Sequence, residues 1–196
     1  TLYILSTLDL KILIKHSKKT GILKNFKKII GNASNKIKSL EKLLIDISKS
    51  SRPVVLIGGG VKIAEASNEL HEIGELLKIP MYPTWNAFDV VTSDYKYYCG
   101  RVGTYGGAGR NFGIQNSDLL ISIGSRISGR VTGGNVKTFA RAAKKYMIDI
   151  DTGSLKKEFQ QVPFDENVHC DAKDFIQTFS DLLIKKKYTT TSEKNS

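Results

Sequence analysis

Short apolar runs alternating with amphipathic stretches constrain this chain most. "PVVLI" (53–57), "DLLISIG" (118–124) and "YMIDID" (146–151) are apolar, too short for helices, and closed by glycine or aspartate. Such runs read as strands buried on both faces, the habit of a parallel sheet. Between the first two, "VKIAEASNELHEIGELLK" places Ile63, Ala66, Leu70, Ile73 and Leu77 on one helical stripe. "IPMYPTW" predicts a second short strand, "GAGRNFGIQNS" a short helix, "VKTFARAAKK" another helix and "ENVHCD" a last strand. "AKDFIQTFSDLLIKKK" predicts a closing helix, with Phe175, Phe179 and Leu182 or Leu183 inward and lysines in the last turn, where the helix dipole favours cations. Alternating strands and helices build βαβ units. The fold class is therefore α/β: a doubly wound, mainly parallel sheet with helices on both faces, Rossmann-like.

Three parts are expected. Residues 1–50 read as a linker with a short strand near Leu2–Leu5 and an N-terminal helix. That helix is carried by Ile37, Leu40, Leu44 and Ile47, with Ser34 as N-cap. Residues 51–186 form the α/β domain, and the polar residues 187–196 a disordered tail. The first 52 residues hold 12 Lys/Arg against 3 Asp/Glu, a net +9, and the other 144 hold 18 against 16, a net +2. These lysines are not interleaved with stacking aromatics or arginines, so a nucleic-acid partner is not expected. No run approaches the roughly 20 apolar residues of a membrane span, and Leu2–Ile14 carries Asp9 and Lys11 and lacks a signal-peptide cleavage pattern. The first residue is Thr1 rather than Met, which suggests a piece of a longer protein. Cys99 and Cys170 are far apart with no CxxC, so a zinc site is not expected and a reducing, cytoplasmic home is.

In doubly wound sheets, ligands bind outside the carboxyl ends of the strands, and the glycine loops of this chain fall at those ends. Gly58, Gly59 and Gly60 follow the first strand and open a helix, where backbone amides favour anions. A G-x-G-x-x-G fingerprint would need glycine where Ile63 stands, and no acidic residue ends the second strand at Met81–Thr84. A standard NAD site is thereby disfavoured. A phosphate- or nucleotide-binding turn and a ligand-free tight turn stand even on the glycines alone. Arg126 and Arg130 tip the balance, because both lie just beyond a buried strand and guanidinium groups pair bidentately with phosphates. Asp149 and Asp151 could meet a ribose, a helix terminus or a metal, with Asp151 favoured as a cap. Asp171 could cap the last helix or meet an adenosine. His16, His71 and His169 lie in unrelated contexts, His71 reading as a surface residue, and no G-x-S-x-G elbow or acid/base pair is visible.

"RPVVLIGGGV", "GRVGTYGGAGRNFGIQNSDLLISIGSRISGRVTGG" and "FARAAKKYMIDID" together resemble the central domain of thiamine-diphosphate-dependent enzymes of the acetolactate synthase type, a DHS-like NAD/FAD-binding domain. The resemblance covers residues 52–184. It implies a three-domain subunit whose outer, pyrimidine- and diphosphate-binding domains hold thiamine diphosphate and Mg2+ across a homodimer or tetramer. The catalytic glutamate and the metal-binding "GDG" belong to those outer domains, so this chain alone is expected to be non-catalytic and to hold no metal. The whole enzyme would decarboxylate 2-oxo acids and join the product to a second carbonyl. The middle domain would bind FAD in a largely non-redox role, or ADP, or nothing. Carried over, Gly58, Gly59 and Gly60 would sit against the dinucleotide and Thr84 near the flavin. Gly124, Ser125, Arg126, Arg130 and Val131 match "GARFDDRV", and Asp171 with Ala172 matches "GDA" near the adenine. Ser128 and Gly129 replace two acidic residues of the family pattern, and Ser154 replaces a ribose-contacting glutamate. The alternative is a stand-alone adenine-nucleotide-binding module with a basic N-terminal arm. A deacylase of related fold would need a catalytic histidine loop and zinc cysteines, which the sequence lacks.

Overall fold

The computed structural model describes residues 22–188, with side chains from residue 35 on. The chain divides into two compact units, residues 1–38 and 39–196. In the first, residues 22–38 are helical; the second holds the α/β domain. Helix α1 spans Ile22–Lys49, so Ser34 lies within it and is not an N-cap. Its inner stripe uses Leu40, Leu43 and Ile47, with Leu43 rather than Leu44 fully buried. The strand expected at Leu2–Leu5 and the tail from 189 onward lie outside the described residues.

Five strands form one sheet, entirely parallel: β1 (Pro53–Ile57), β2 (Met81–Pro83), β3 (Leu119–Ile123), β4 (Lys144–Asp149) and β5 (Glu166–His169). Their spatial order is β2-β1-β3-β4-β5. Register sets Val55 beside Ile121 and Ile121 beside Tyr146, so alternate residues stack into two buried layers. One layer joins Val55, Ile57, Ile121, Ile123 and Ile148 to α1, α2 (Gly59–Ile63), α3 (Ser67–Leu77) and α6 (Ala172–Lys185). The other joins Val54, Leu56, Leu120 and Met147 to Ile114 of α4 (Ala108–Gln115) and to the loop after β3. Each fully buried aliphatic side chain contributes about 1.5–3 kcal/mol, and both layers together fix the sheet.

Two predicted helices differ. The stretch 61–78 breaks in two because Glu65 takes a left-handed φ of 52°. Ile63 then belongs to the separate α2 and is 86% exposed, while Ala66, Leu70, Ile73 and Leu77 are buried as expected. "VKTFARAAKK" forms only a 3-10 turn, Val136–Thr138, before β4. Gln115 Oε1 accepts the Ala140 N–H at 3.1 Å, and Ala140 has a φ of 43°. A side chain of α4 thus takes a donor that a helix would have used internally.

Candidate anion-binding crevice at the reversal of strand order

Chain order reverses between β1 and β3, and a crevice of about 590 Å³ opens there at their carboxyl ends. Of the residues the sequence pointed to, Gly59, Gly60, Thr84, Gly124, Ser125, Arg126, Arg130, Val131 and Asp171 line it; Gly58 does not.

The glycines have a packing reason of their own. A Cβ on Gly58 would stand 2.0 Å from the Gly124 carbonyl oxygen, and one on Gly60 would stand 2.7 Å from the Gly124 Cα. The Gly58 N–H donates to Ile123 O at 2.8 Å and the Gly60 N–H to Gly124 O at 3.0 Å. These two amides are spent joining the β1 and β3 loops. Gly59 faces the crevice instead, and a Cβ there would meet Asn86 Cβ at 3.0 Å.

The loop after β3 is held from below. Ser122, the one polar residue in the apolar run of β3, is fully buried and donates from Oγ to Ser125 O at 3.1 Å. Ile127 has a φ of 45° and is 1% exposed. A β-branched residue adopts such a backbone only where its surroundings impose it, and such sites cluster where function is. Ile127 anchors in the core while its neighbour Arg126, and Arg130 one turn on, lie exposed on the crevice wall. Neither guanidinium forms an ion pair among the described residues.

The carboxylates are largely committed. Asp149 is buried and its Oδ1 accepts the Asp151 N–H at 2.9 Å. Asp151 accepts from Gly153 N–H at 2.9 Å and from Ser154 Oγ at 2.6 Å. It caps a turn rather than the expected helix, because only a 3-10 turn at Lys157–Phe159 follows. The Ser154 hydroxyl, then the Gly153 amide, hold its carboxyl below the usual range, and the Arg126 charge adds to this. Asp171 is the N-cap of α6, its Oδ1 accepting from Lys173 N–H at 2.8 Å and Asp174 N–H at 3.3 Å. Of the two roles left open for it, capping is present.

Sequence reading missed the apolar rim. Ile63, Trp85 (42% exposed) and Ile150 (64% exposed) line the crevice. Trp85 also meets Tyr105 edge-on at 5.9 Å between centroids, and the Arg101 guanidinium lies 5.3 Å over its ring. Ile63 matches the helical stripe by spacing alone, and Trp85 carries no spacing signal. His71, read as a surface residue, stacks on Tyr95 at 4.5 Å, and its Nε2 is buried without a hydrogen bond. His169 Nε2 lies 3.0 Å from Ile150 O. The crevice offers two exposed cations, a polar floor and apolar edges: chemistry for an anion with a flat ring attached.

Comparison with known proteins agrees with the earlier resemblance. The family described as the central domain of thiamine pyrophosphate enzymes matches residues 40–179. A probable acetolactate synthase large subunit of Methanocaldococcus jannaschii is 37% identical over 154 residues, covering 78% of this chain and 25% of that protein. Its namesake from Methanococcus aeolicus is 33% identical over 160 residues, 81% of this chain and 26% of that protein. The acetolactate synthase isozyme 2 large subunit of Escherichia coli K12 is 38% identical over 111 residues, 57% and 20% respectively. The chain thus spans about a quarter of the length of the first relatives it matches.

Proposed function

Because this chain belongs to the central-domain family of thiamine pyrophosphate enzymes, we propose that its crevice holds the ADP moiety common to ADP and FAD. Arg126 and Arg130 clasp the diphosphate, and the Gly59 turn gives it room to approach. Ile63, Trp85 and Ile150 give apolar contact to the ring systems. The single observation behind this reading is that two exposed arginines line the same crevice, neither in an ion pair among the described residues. The residues fit such a group: the cleft is of small-ligand size, and among the described residues neither of its arginines forms an ion pair.

In the whole protein, this domain stands between a pyrimidine-binding and a diphosphate-binding domain. Those neighbours hold thiamine diphosphate and Mg2+, and the assembly is a cytoplasmic homodimer or tetramer. The reaction is decarboxylation of a 2-oxo acid and carboligation of the product. Bound thiamine diphosphate supplies the electron sink for that chemistry. The residues of this chain orient a nucleotide and brace the neighbouring domains, and the chain is not catalytic alone.

Thermal melting with FAD and with ADP tests the assignment. A ligand at 100 times its Kd adds about 2.7 kcal/mol to stability. FAD alone raising the melting temperature identifies a flavin site, both raising it an ADP-moiety site, and neither raising it rejects the reading.

A further inference from the structure

Arg130 sits in α5, a single helical turn spanning Gly129–Thr132. One turn of helix does not hold its own shape in water, so something outside α5 must set where Arg130 stands. Its carbonyl, one of the last in the turn and without an intrahelical partner, accepts the Thr104 N–H at 2.9 Å and the Thr104 hydroxyl at 3.4 Å. Thr104 follows Gly103, whose φ is 114° and where a Cβ would stand 2.2 Å from that same Arg130 oxygen. Gly103 in turn is gripped at both backbone groups by one side chain. Its N–H donates to Asn111 Oδ1 at 2.9 Å, and Asn111 Nδ2 donates to its carbonyl at 3.0 Å. Only a carboxamide offers one donor and one acceptor side by side in this way. Asn111 projects from α4, an element packed into the core through Ile114, and does not itself line the crevice.

We propose that Asn111 is a positioning residue for Arg130, acting through Gly103 and Thr104 to hold the arginine turn against the crevice. The proposal rests on the reading of Arg130 as a diphosphate ligand. A rigid element thereby lends its stability to a loop that has none, which is how an exposed arginine becomes a preorganised anion ligand.

The test uses the full chain with ADP as the probe, in calorimetric titrations of wild type, N111A, N111D, R130A and N111A/R130A. N111A weakens ADP binding roughly five- to tenfold, the size expected of losing one or two hydrogen bonds. In the R130A background the same substitution changes nothing, because its effect passes through Arg130. N111D keeps the shape and the acceptor but loses the donor; it folds normally and matches N111A. A readout free of ligand accompanies these: the Thr104 amide exchanges with solvent at least tenfold faster in N111A, while R130A, which keeps its carbonyl, leaves it protected. A loss of affinity equal in both backgrounds, or an unchanged Thr104 exchange rate, overturns the role of Asn111 alone. A wild type that fails to bind ADP while N111A still frees the Thr104 amide overturns the ligand reading and its use of Asn111, and leaves only the backbone link.

Discussion

At the scale of single residues, the contact between the β1 and β3 loops admits no side chain where Gly58, Gly60 and Gly124 meet. Gly124 also has a φ of 61°, so a methyl group there meets both an unfavourable backbone region and the Gly60 Cα at 2.8 Å. Gly124→Ala and Gly60→Ala therefore lose about 2–3 kcal/mol or more, as overpacked sites do. Gly59→Ala meets Asn86 at its Cβ, 3.0 Å away, and at its carbonyl oxygen, 3.4 Å away, a milder clash that loses under about 1 kcal/mol while weakening the proposed nucleotide binding. Urea melts of the three variants separate a packing role from a ligand role: equal losses at all three positions contradict it. Ser122 makes a smaller prediction. Ser122→Ala leaves the Ser125 carbonyl without its buried donor and lowers stability by about 1 kcal/mol in the same melts.

At the scale of elements, two joints carry testable energetics. The hinge between α2 and α3 forces Glu65 left-handed, which costs an ordinary residue about 1–2 kcal/mol. Glu65→Gly removes that strain, loses part of the gain to a freer unfolded chain, and raises stability by about 0.5–1 kcal/mol in thermal melts. The second joint is Asp118 at the start of β3, which accepts the Ser50 hydroxyl, the Ser51 N–H at 2.8 Å and the Arg52 N–H at 2.9 Å. Burial pushes its carboxyl up, but these hydrogen bonds and the Arg52 charge outweigh burial and hold it below the usual range. A carboxyl lowered on folding stabilises fully above its ordinary value near pH 4 and loses that contribution as pH falls through the lowered value. Asp118→Asn therefore loses about 1–2 kcal/mol at pH 7 and less at about pH 3, below the ordinary carboxyl value. A loss that is the same at both values contradicts the assignment.

At the scale of the whole molecule, the central strands were legible because both of their faces are largely buried, so their apolar runs are nearly unbroken, whereas in β5 only Val168 is buried. β1, β3 and β4 need no tertiary context to recognise. Helix limits were less legible. α1 begins before Ser34, since a polar cap residue also fits a helix interior. The turn at 136–143 lost its helix to a distant side chain, Gln115, which no local pattern reveals. Gly59, Gly60, Gly124, Arg126 and Arg130 were readable as loop glycines and cations at strand ends, and Thr84, Ser125 and Val131 were pointed to only by the family resemblance, whereas Ile63, Trp85 and Ile150 become rim residues only once the strand order brings their loops together. Among the described residues no helix is long and apolar enough to cross a membrane. The proposed nucleotide site rests on Arg126 and Arg130 lining one crevice. Calorimetric titration of ADP into wild type and into the Arg126→Ala/Arg130→Ala double variant tests this most directly. Affinity falls roughly a hundredfold or beyond detection in the variant if each arginine contributes a charge-assisted hydrogen bond, with the melting temperature of the unliganded domain unchanged. Equal affinity in the two proteins contradicts the claim.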